Sequence, residues 1–415
     1  MQIRISRTQN SDAKQGHDMK ITNIKLRKVS GTMETDGTFW EERLGMPLDV
    51  YPEYRSGGTH GDANQLDDNH YRIDAAFVQI ETDEGVIGIG GPIPDHHAYI
   101  IEKSLKPIIM GKDPVATELL WDQMHRSQVH GRQGETMMAI SAVDCALWDL
   151  KGRWLNQPVY RLLGGPTRSS IPAYASMLGF DVLDAGKVTA RAQEYQAMGY
   201  RAQKWFFRHG PQSGVEGIKK NVELVQTLRE TLGEDDDIML DAWQSWDYQY
   251  AMRMTEEIAE FRPRWLEEVG MPDRVDTYAQ VRASVPFPLS GAEHEYTRWG
   301  FKRFIEAGAL DVLQPDIYWA GGISEVIKIA TYASVYDLSV IPHGHSTNAG
   351  IHFSASQSPA TTWIQEYLVK WNAIHQFFLA DPVTPVHGEI HVPDHVGMGM
   401  DLDPAKIDTE MELNF

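Results

Sequence analysis

The chain carries 415 residues, with 58 acidic against 38 basic side chains and a formal net charge of −20, and is 42% hydrophobic and 23% charged. That balance belongs to an ordinary soluble globular protein and excludes a disordered tail or a collagen-like fibre. The excess of acid argues against a broad surface for nucleic-acid phosphates, which needs clustered Lys and Arg. An acidic chain of this kind is either simply solvated or carries a cluster of carboxylates that holds a cation.

The first 18 residues are polar and lack the apolar stretch of a signal peptide. They are expected to form a disordered extension, because a hydrophobic pattern starts only at Met19-Lys20-Ile21. No run of about 18 apolar residues predicts a membrane span, so the cytoplasm is the default compartment. Residues 19–30 and 75–90 read as strands, the latter a hairpin turning at Asp83-Glu84-Gly85. Between them, 31–74 is rich in Gly, Asp, His, Tyr and Arg and reads as a lid loop. Residues 95–163 read as helices broken at Pro107, Pro114 and Pro158. The single cysteine, Cys145, excludes an intrachain disulfide and a Cys-based zinc site, and its apolar helical setting predicts burial.

From residue 170 the pattern changes to short apolar runs alternating with amphipathic helices. Strands are predicted at Ile171–Ser176, Tyr200–Phe206, Ile238–Asp241, Trp265–Glu267, Phe287–Gly291, Val312–Gln314, Val340–Pro342 and Trp363–Glu366. Helices such as Gly214–Leu232, Tyr248–Phe261 and Glu325–Val335 fall between them. Eight such beats fit an α/β fold of the (β/α)8 barrel type. A doubly wound sheet would more often place a Gly-rich phosphate turn after its first strand, and none follows Ser176. The predicted organisation is an α+β capping domain at 19–165, a barrel at 166–385 and a segment, 386–415, returning to the cap.

Acids stand at regular places on these beats. Asp241, Glu267 and Glu293 end three consecutive strands, separated by 26 and 26 residues. Strand C-termini share one rim of a barrel, where active sites are built. Three carboxylates brought together there cannot all stay ionised without a cation, and hard oxygen ligands select Mg²⁺. Glu268 competes with Glu267, although strand alternation lets only one of the pair face inward. Asp316 and His343 follow on later strands, 27 residues apart. An Asp so placed can fix the tautomer of the His and raise its basicity, making it a candidate general base. His345, His352 and His375 have no partner at comparable spacing and are left as surface or supporting residues.

These residues, together with the helix Ser141-Ala142-Val143-Asp144-Cys145-Ala146-Leu147-Trp148-Asp149-Leu150-Lys151-Gly152, resemble the enolase superfamily in its mandelate racemase-like branch. The resemblance covers nearly the whole chain from Met19 and implies an enolase-type modified barrel with a cap. It also implies Mg²⁺ on the three acids and removal of a proton α to a substrate carboxylate to give a metal-stabilised enediolate. Many relatives carry Lys-X-Lys on the second barrel strand; here Lys204 is present but Phe206 stands where the second Lys is expected. That departure counts against a two-base racemase.

Gly291-Ala292-Glu293-His294-Glu295, with Gly210-Pro211 after the second strand, is similar to the rhamnonate dehydratases and related sugar-acid dehydratases. The resemblance implies loss of the β-hydroxyl to give a 2-keto-3-deoxy acid, with His294 as a further acid or hydroxyl binder. Lys204, Glu366 and the lid residues His60, Arg55, Tyr54 and Arg72 are the candidates for binding an acid sugar. A homo-oligomer is expected, with no nucleic-acid or membrane partner. The alternatives are a racemase or epimerase using Lys204 against His343, and a non-catalytic, metal-stabilised binding protein.

Overall fold

The computed structural model describes residues 19–56 and 64–415; the expected extension at 1–18 and His60 lie outside them. Strand β1 (Ile21–Glu34) lies antiparallel to β3 (His70–Thr82), which also pairs with β2 (Gln65–Asp67) and β4 (Ile87–Ile93). The expected hairpin joins β3 to β4 through Gly85, whose φ of +76° suits a residue without Cβ. Both long strands run beyond their predicted limits, with Glu34 opposite His70. The lid is therefore shorter than 31–74: extended backbone continues wherever a partner strand satisfies its hydrogen bonds, and polar composition does not stop it.

The helix Glu135–Leu155 is buried along most of its length, Cys145 included. It lies close on β4, where a Cβ added to Gly88 or Gly90 would come 2.3 Å from Ala146 O or 2.5 Å from Ala142 O. Its acids reach the second half of the chain. Asp144 accepts from Ser324 N and Oγ at the start of the helix Ile323–Ser334, and Asp149 accepts from Ile89 N and Met398 N.

Eight parallel strands follow: β5 (Ser170–Ser176), β6 (Ala202–Phe206), β7 (Asp237–Asp241), β8 (Trp265–Glu267), β9 (Leu289–Gly291), β10 (Val312–Leu313), β11 (Ser339–Val340) and β12 (Gln365–Leu368). Their order, β11-β10-β9-β8-β7-β6-β5-β12, pairs the first of the eight with the last, as a curled barrel requires. The remaining seam lacks a ladder but is tied by Val340 N donating to Thr361 O and Thr362 Oγ1 donating to Val340 O. Each strand falls within two residues of its predicted place. Near the C terminus, β13 (Glu389–His391) adds to the start of β5, and β14 (Thr409–Glu412) pairs with β1. The fold is thus a modified (β/α)8 barrel with an N-terminal α+β cap. No helix among the described residues is long and apolar enough to cross a membrane.

Candidate active site

Alternation along the strands places Lys204, Asp241 and Glu267 on the inner face of β6, β7 and β8. The residues two before each of them, Ala202, Met239 and Trp265, join Tyr174, Val312, Ile341 and Ile364 in the apolar filling of the barrel. The register sets Asp241 opposite Phe206 on one side and Glu267 on the other. Lys204 is almost wholly buried. Its Nζ lies 3.0 Å from Asp241 Oδ2 and 2.8 Å from Glu366 Oε1, and it also pairs with Glu267. Glu267 Oε2 accepts from Trp265 Nε1 (3.0 Å) and Gln314 Nε2 (2.7 Å), while Glu366 Oε2 accepts from Gly344 N (2.7 Å).

Beyond the strand ends the backbone turns sharply. Gln244, Glu268 and Ala292 have φ of +63°, +48° and +74°, a region that costs residues with a Cβ of order 1 kcal/mol or more and that clusters at functional sites. The turn at Glu268 alters the expectation that only one of Glu267 and Glu268 could reach the site. Glu267 points inward by alternation, and the left-handed backbone swings Glu268 in from the rim. Its Oε1 lies 3.1 Å from His294 Nδ1, and Gln244 Nε2 approaches the same nitrogen at 2.7 Å. Ligand atoms of Glu268, Glu293 and His294 all lie within 4.8 Å of one another.

Glu293 links this group to the expected dyad. Its Oε1 is 3.5 Å from His294 Nδ1 and its Oε2 is 3.5 Å from His343 Nε2. His343 Nδ1 is 2.8 Å from Asp316 Oδ2, and Asp316 Oδ1 accepts from Tyr318 N at 2.8 Å. The Trp319 ring stands beside both imidazoles, with centroids 5.0 Å from His343 and 5.2 Å from His294. Gln244 and Trp319 were not singled out from the sequence, and Glu268 was weighed only as a rival to Glu267. Glu268 required knowledge of a backbone turn, and the others follow strand ends without a distinctive chemical pattern.

The lid candidates are placed differently. Arg55 donates from Nε to Asp49 O (2.9 Å) and from Nη2 to Val50 O, spending its donors on its own loop. Arg72 pairs with Asp74 at 3.0 Å on the exposed side of β3, and Tyr54 is exposed. None of these three is brought to the acids or the dyad. The loop is instead fastened to the barrel by Gly45 N donating to Phe207 O and Arg208 Nη2 donating to Arg55 O. Of the remaining histidines, His352 is a core residue stacked on Tyr160 rather than a surface one, and His345 packs on His375.

Burial and crowding set the charges. Burial pushes Asp241 up to about 6, against the pull of Lys204, and raises Glu267 and Glu293 in the same way. Burial would lower Lys204, but Glu267, Glu366 and Asp241 outweigh it and hold the ammonium well above its usual range. It would also lower His343, yet the Glu293 carboxylate and the Asp316 hydrogen bond hold that imidazole at about 10. His294 stands at about 9, where Glu268 outweighs burial. Asp241, Glu267, Glu268, Glu293 and Glu366 are all nearly inaccessible. Counting Asp316, the partner of His343, these buried acids outnumber Lys204 and the two histidines by three. An all-oxygen donor set with that deficit of positive charge fits a hard divalent cation. Neutralising Glu293 also removes the largest influence that keeps His343 protonated, which a general base requires.

A buried acid cluster facing an Asp–His dyad at the C-terminal rim of a capped barrel is the kind of arrangement that metal-assisted barrel enzymes use. The sequence agrees: residues 187–406 match the family described as enolase C-terminal domain-like, and 71–164 match the N-terminal domain of the mandelate racemase / muconate lactonizing enzyme family. The chain belongs to the enolase superfamily, in that mandelate racemase-like branch. It is 33% identical over 399 residues to the L-rhamnonate dehydratase of Saccharopolyspora erythraea, covering 93% of this chain and 97% of the relative. Rhamnonate dehydratase from Gibberella zeae, solved complexed with Mg, superimposes with a TM-score of 0.81 at 29% identity, covering 94% of this chain and 96% of the other. A racemase from Streptomyces coelicolor A3(2) with bound magnesium gives a TM-score of 0.76 at 25% identity, covering 93% and 98%.

Proposed function

We propose that this chain is a Mg²⁺-dependent sugar-acid dehydratase that converts an aldonate such as L-rhamnonate to its 2-keto-3-deoxy acid. Dehydration, a hydro-lyase activity, is supported by the identity to L-rhamnonate dehydratase over almost the full length of both chains. The observation that carries the mechanism is the Asp316–His343 dyad facing the acids, with its Nδ1–Oδ2 contact of 2.8 Å. Lys204, the candidate for a second base, is held as an ammonium by Asp241, Glu267 and Glu366. That argues against the racemase reading.

Asp241, Glu267 and Glu293 would hold the magnesium, with Glu268 steadying His294 beside them. When bound, the ion supplies the positive charge that makes the α-proton of a carboxylate acidic enough to remove. His343 takes that proton at Nε2, because Asp316 keeps the other proton on Nδ1. The resulting imidazolium can return the proton to the departing β-hydroxyl, so that water leaves and the enol collapses to the keto acid. His294, held by Glu268, is a second proton carrier or a hydroxyl donor at the same rim. Trp319 packs against both imidazoles. Packed barrel and cap together bury the reacting groups, which strengthens each of these interactions.

The test is a panel of acid sugars incubated with the protein and Mg²⁺, scored for semicarbazide-reactive product. Keto-acid formation that disappears in His343→Gln, while magnesium binding persists, is the expected result. Deuterium exchange at the α-carbon with inversion and no keto acid would establish the racemase instead. Turnover surviving in His343→Gln would remove the base from this mechanism.

A further inference from the structure

Among the described residues, one other group of ligating side chains converges, and it lies in the cap. His96 and His97 sit on the short helix Asp95–Ile100, and Glu135 opens the helix Glu135–Leu155. Adjacent helical residues point about 100° apart and do not face a common neighbour by helix geometry alone. Here both imidazoles nevertheless direct Nε2 at one oxygen, Glu135 Oε2, at 2.8 Å and 2.5 Å, and their rings are 4.5 Å apart. His97 is buried, whereas His96 and Glu135 reach solvent. All three line a cavity of about 410 Å³ between cap and barrel. Its wall includes His375, whose buried Nδ1 has no hydrogen-bond partner.

We propose that His96, His97 and Glu135 form a second metal site, sharing no ligand with the barrel acids and selective for a divalent transition metal of the Zn²⁺ type. Two imidazole nitrogens and one carboxylate oxygen are the donors such ions prefer, in contrast to the all-oxygen set that suits Mg²⁺. Three protein ligands leave a coordination position facing the cavity, where water or a small carboxylate can bind. The ion would tie the first cap helix to the start of the long buried helix. This site does not depend on the dehydratase reading.

Metal-free full-length protein, supplied with excess Mg²⁺ to occupy the acid cluster, is titrated with Zn²⁺ by calorimetry and with Co²⁺ by visible absorption. The wild type is expected to take up one more equivalent of Zn²⁺ than His96→Gln, and to show a Co²⁺ spectrum that the variant loses. Glu135→Gln is expected to behave as His96→Gln does, with circular dichroism showing both variants folded. Because His96 is exposed, its replacement leaves the core intact. Equal Zn²⁺ stoichiometry in the wild type and both folded variants overturns the proposal. Loss of sugar-acid turnover has no bearing on this readout.

Discussion

Replacing Asp316 by Asn tests the proposed base through one hydrogen. Asp316 is wholly buried, and its Oδ1 accepts from Tyr318 N at 2.8 Å while Oδ2 faces His343 Nδ1 at 2.8 Å. In Asp316→Asn the Tyr318 N–H fixes the amide orientation, keeping the carbonyl on its own side and turning the NH₂ toward His343. Nδ1 must then accept, so the imidazole proton moves to Nε2, the nitrogen that faces Glu293. Recovering the basic tautomer would set two N–H groups face to face. That forfeits a hydrogen bond to a charged group, about 1.5–3 kcal/mol, and leaves a buried donor unsatisfied, about 1–3 kcal/mol. A combined cost of about 2.5–6 kcal/mol corresponds to roughly 10²–10⁴-fold in kcat. The substitution conserves shape, so magnesium affinity and the unfolding transition should change little. The assay is keto-acid formation under saturating Mg²⁺ beside a calorimetric Mg²⁺ titration. Activity within about threefold of wild type, with the fold intact, would refute the assigned role of the pair.

Lys204→Met leaves Asp241, Glu267 and Glu366 buried around no cation and should destabilise the metal-free protein by about 3–5 kcal/mol in urea unfolding. Part of that loss should return with Mg²⁺; an unchanged midpoint in metal-free buffer contradicts the charge balance drawn for the site. Glu267→Gln should abolish most magnesium binding, whereas Glu268→Gln, which disturbs only the partner of His294, should weaken it about 10–100-fold. The reverse order would assign the ligand to Glu268. Asp144 is raised to about 7 by burial, against the opposing Ser324 hydrogen bonds. Its folded pKa exceeds its unfolded value, so its contribution is fully present at about pH 4 and is lost as pH rises through about 7. Asp144→Asn should flatten that fall, on the order of 4 kcal/mol across the window, in unfolding measured at several pH values. A pH profile identical to wild type would show that Asp144 stays ionised in the fold.

Much of the barrel was legible because its signals are local and periodic. A short apolar strand with a period of two, followed by an amphipathic helix, can be read without knowing the partner strand. The spacing of Asp241, Glu267 and Glu293 depends on that period alone, since one βα unit separates neighbours on the rim. The pairing of Asp316 with His343 was likewise implied by one unit of separation, and the two meet at 2.8 Å. By contrast, β1 and β3 lengthened into the predicted lid because each is the other's hydrogen-bond partner across 31–34 and 70–74, which no single segment can reveal.

What the sequence determined by itself is the beat of strands and helices, the identity of the acids, and the absence of a second Lys at Phe206. These depend on periodicity and residue type, properties carried by each segment alone. Tertiary structure decided where the charges balance. Lys204 proved to be enclosed by three carboxylates drawn from β7, β8 and β12. Glu268 reaches His294 only through a left-handed turn, and Arg55 is consumed by its own loop. The convergence of His96 and His97 on Glu135 likewise joins residues almost forty positions apart. Electrostatic energy depends on distance and burial, and only folding sets those.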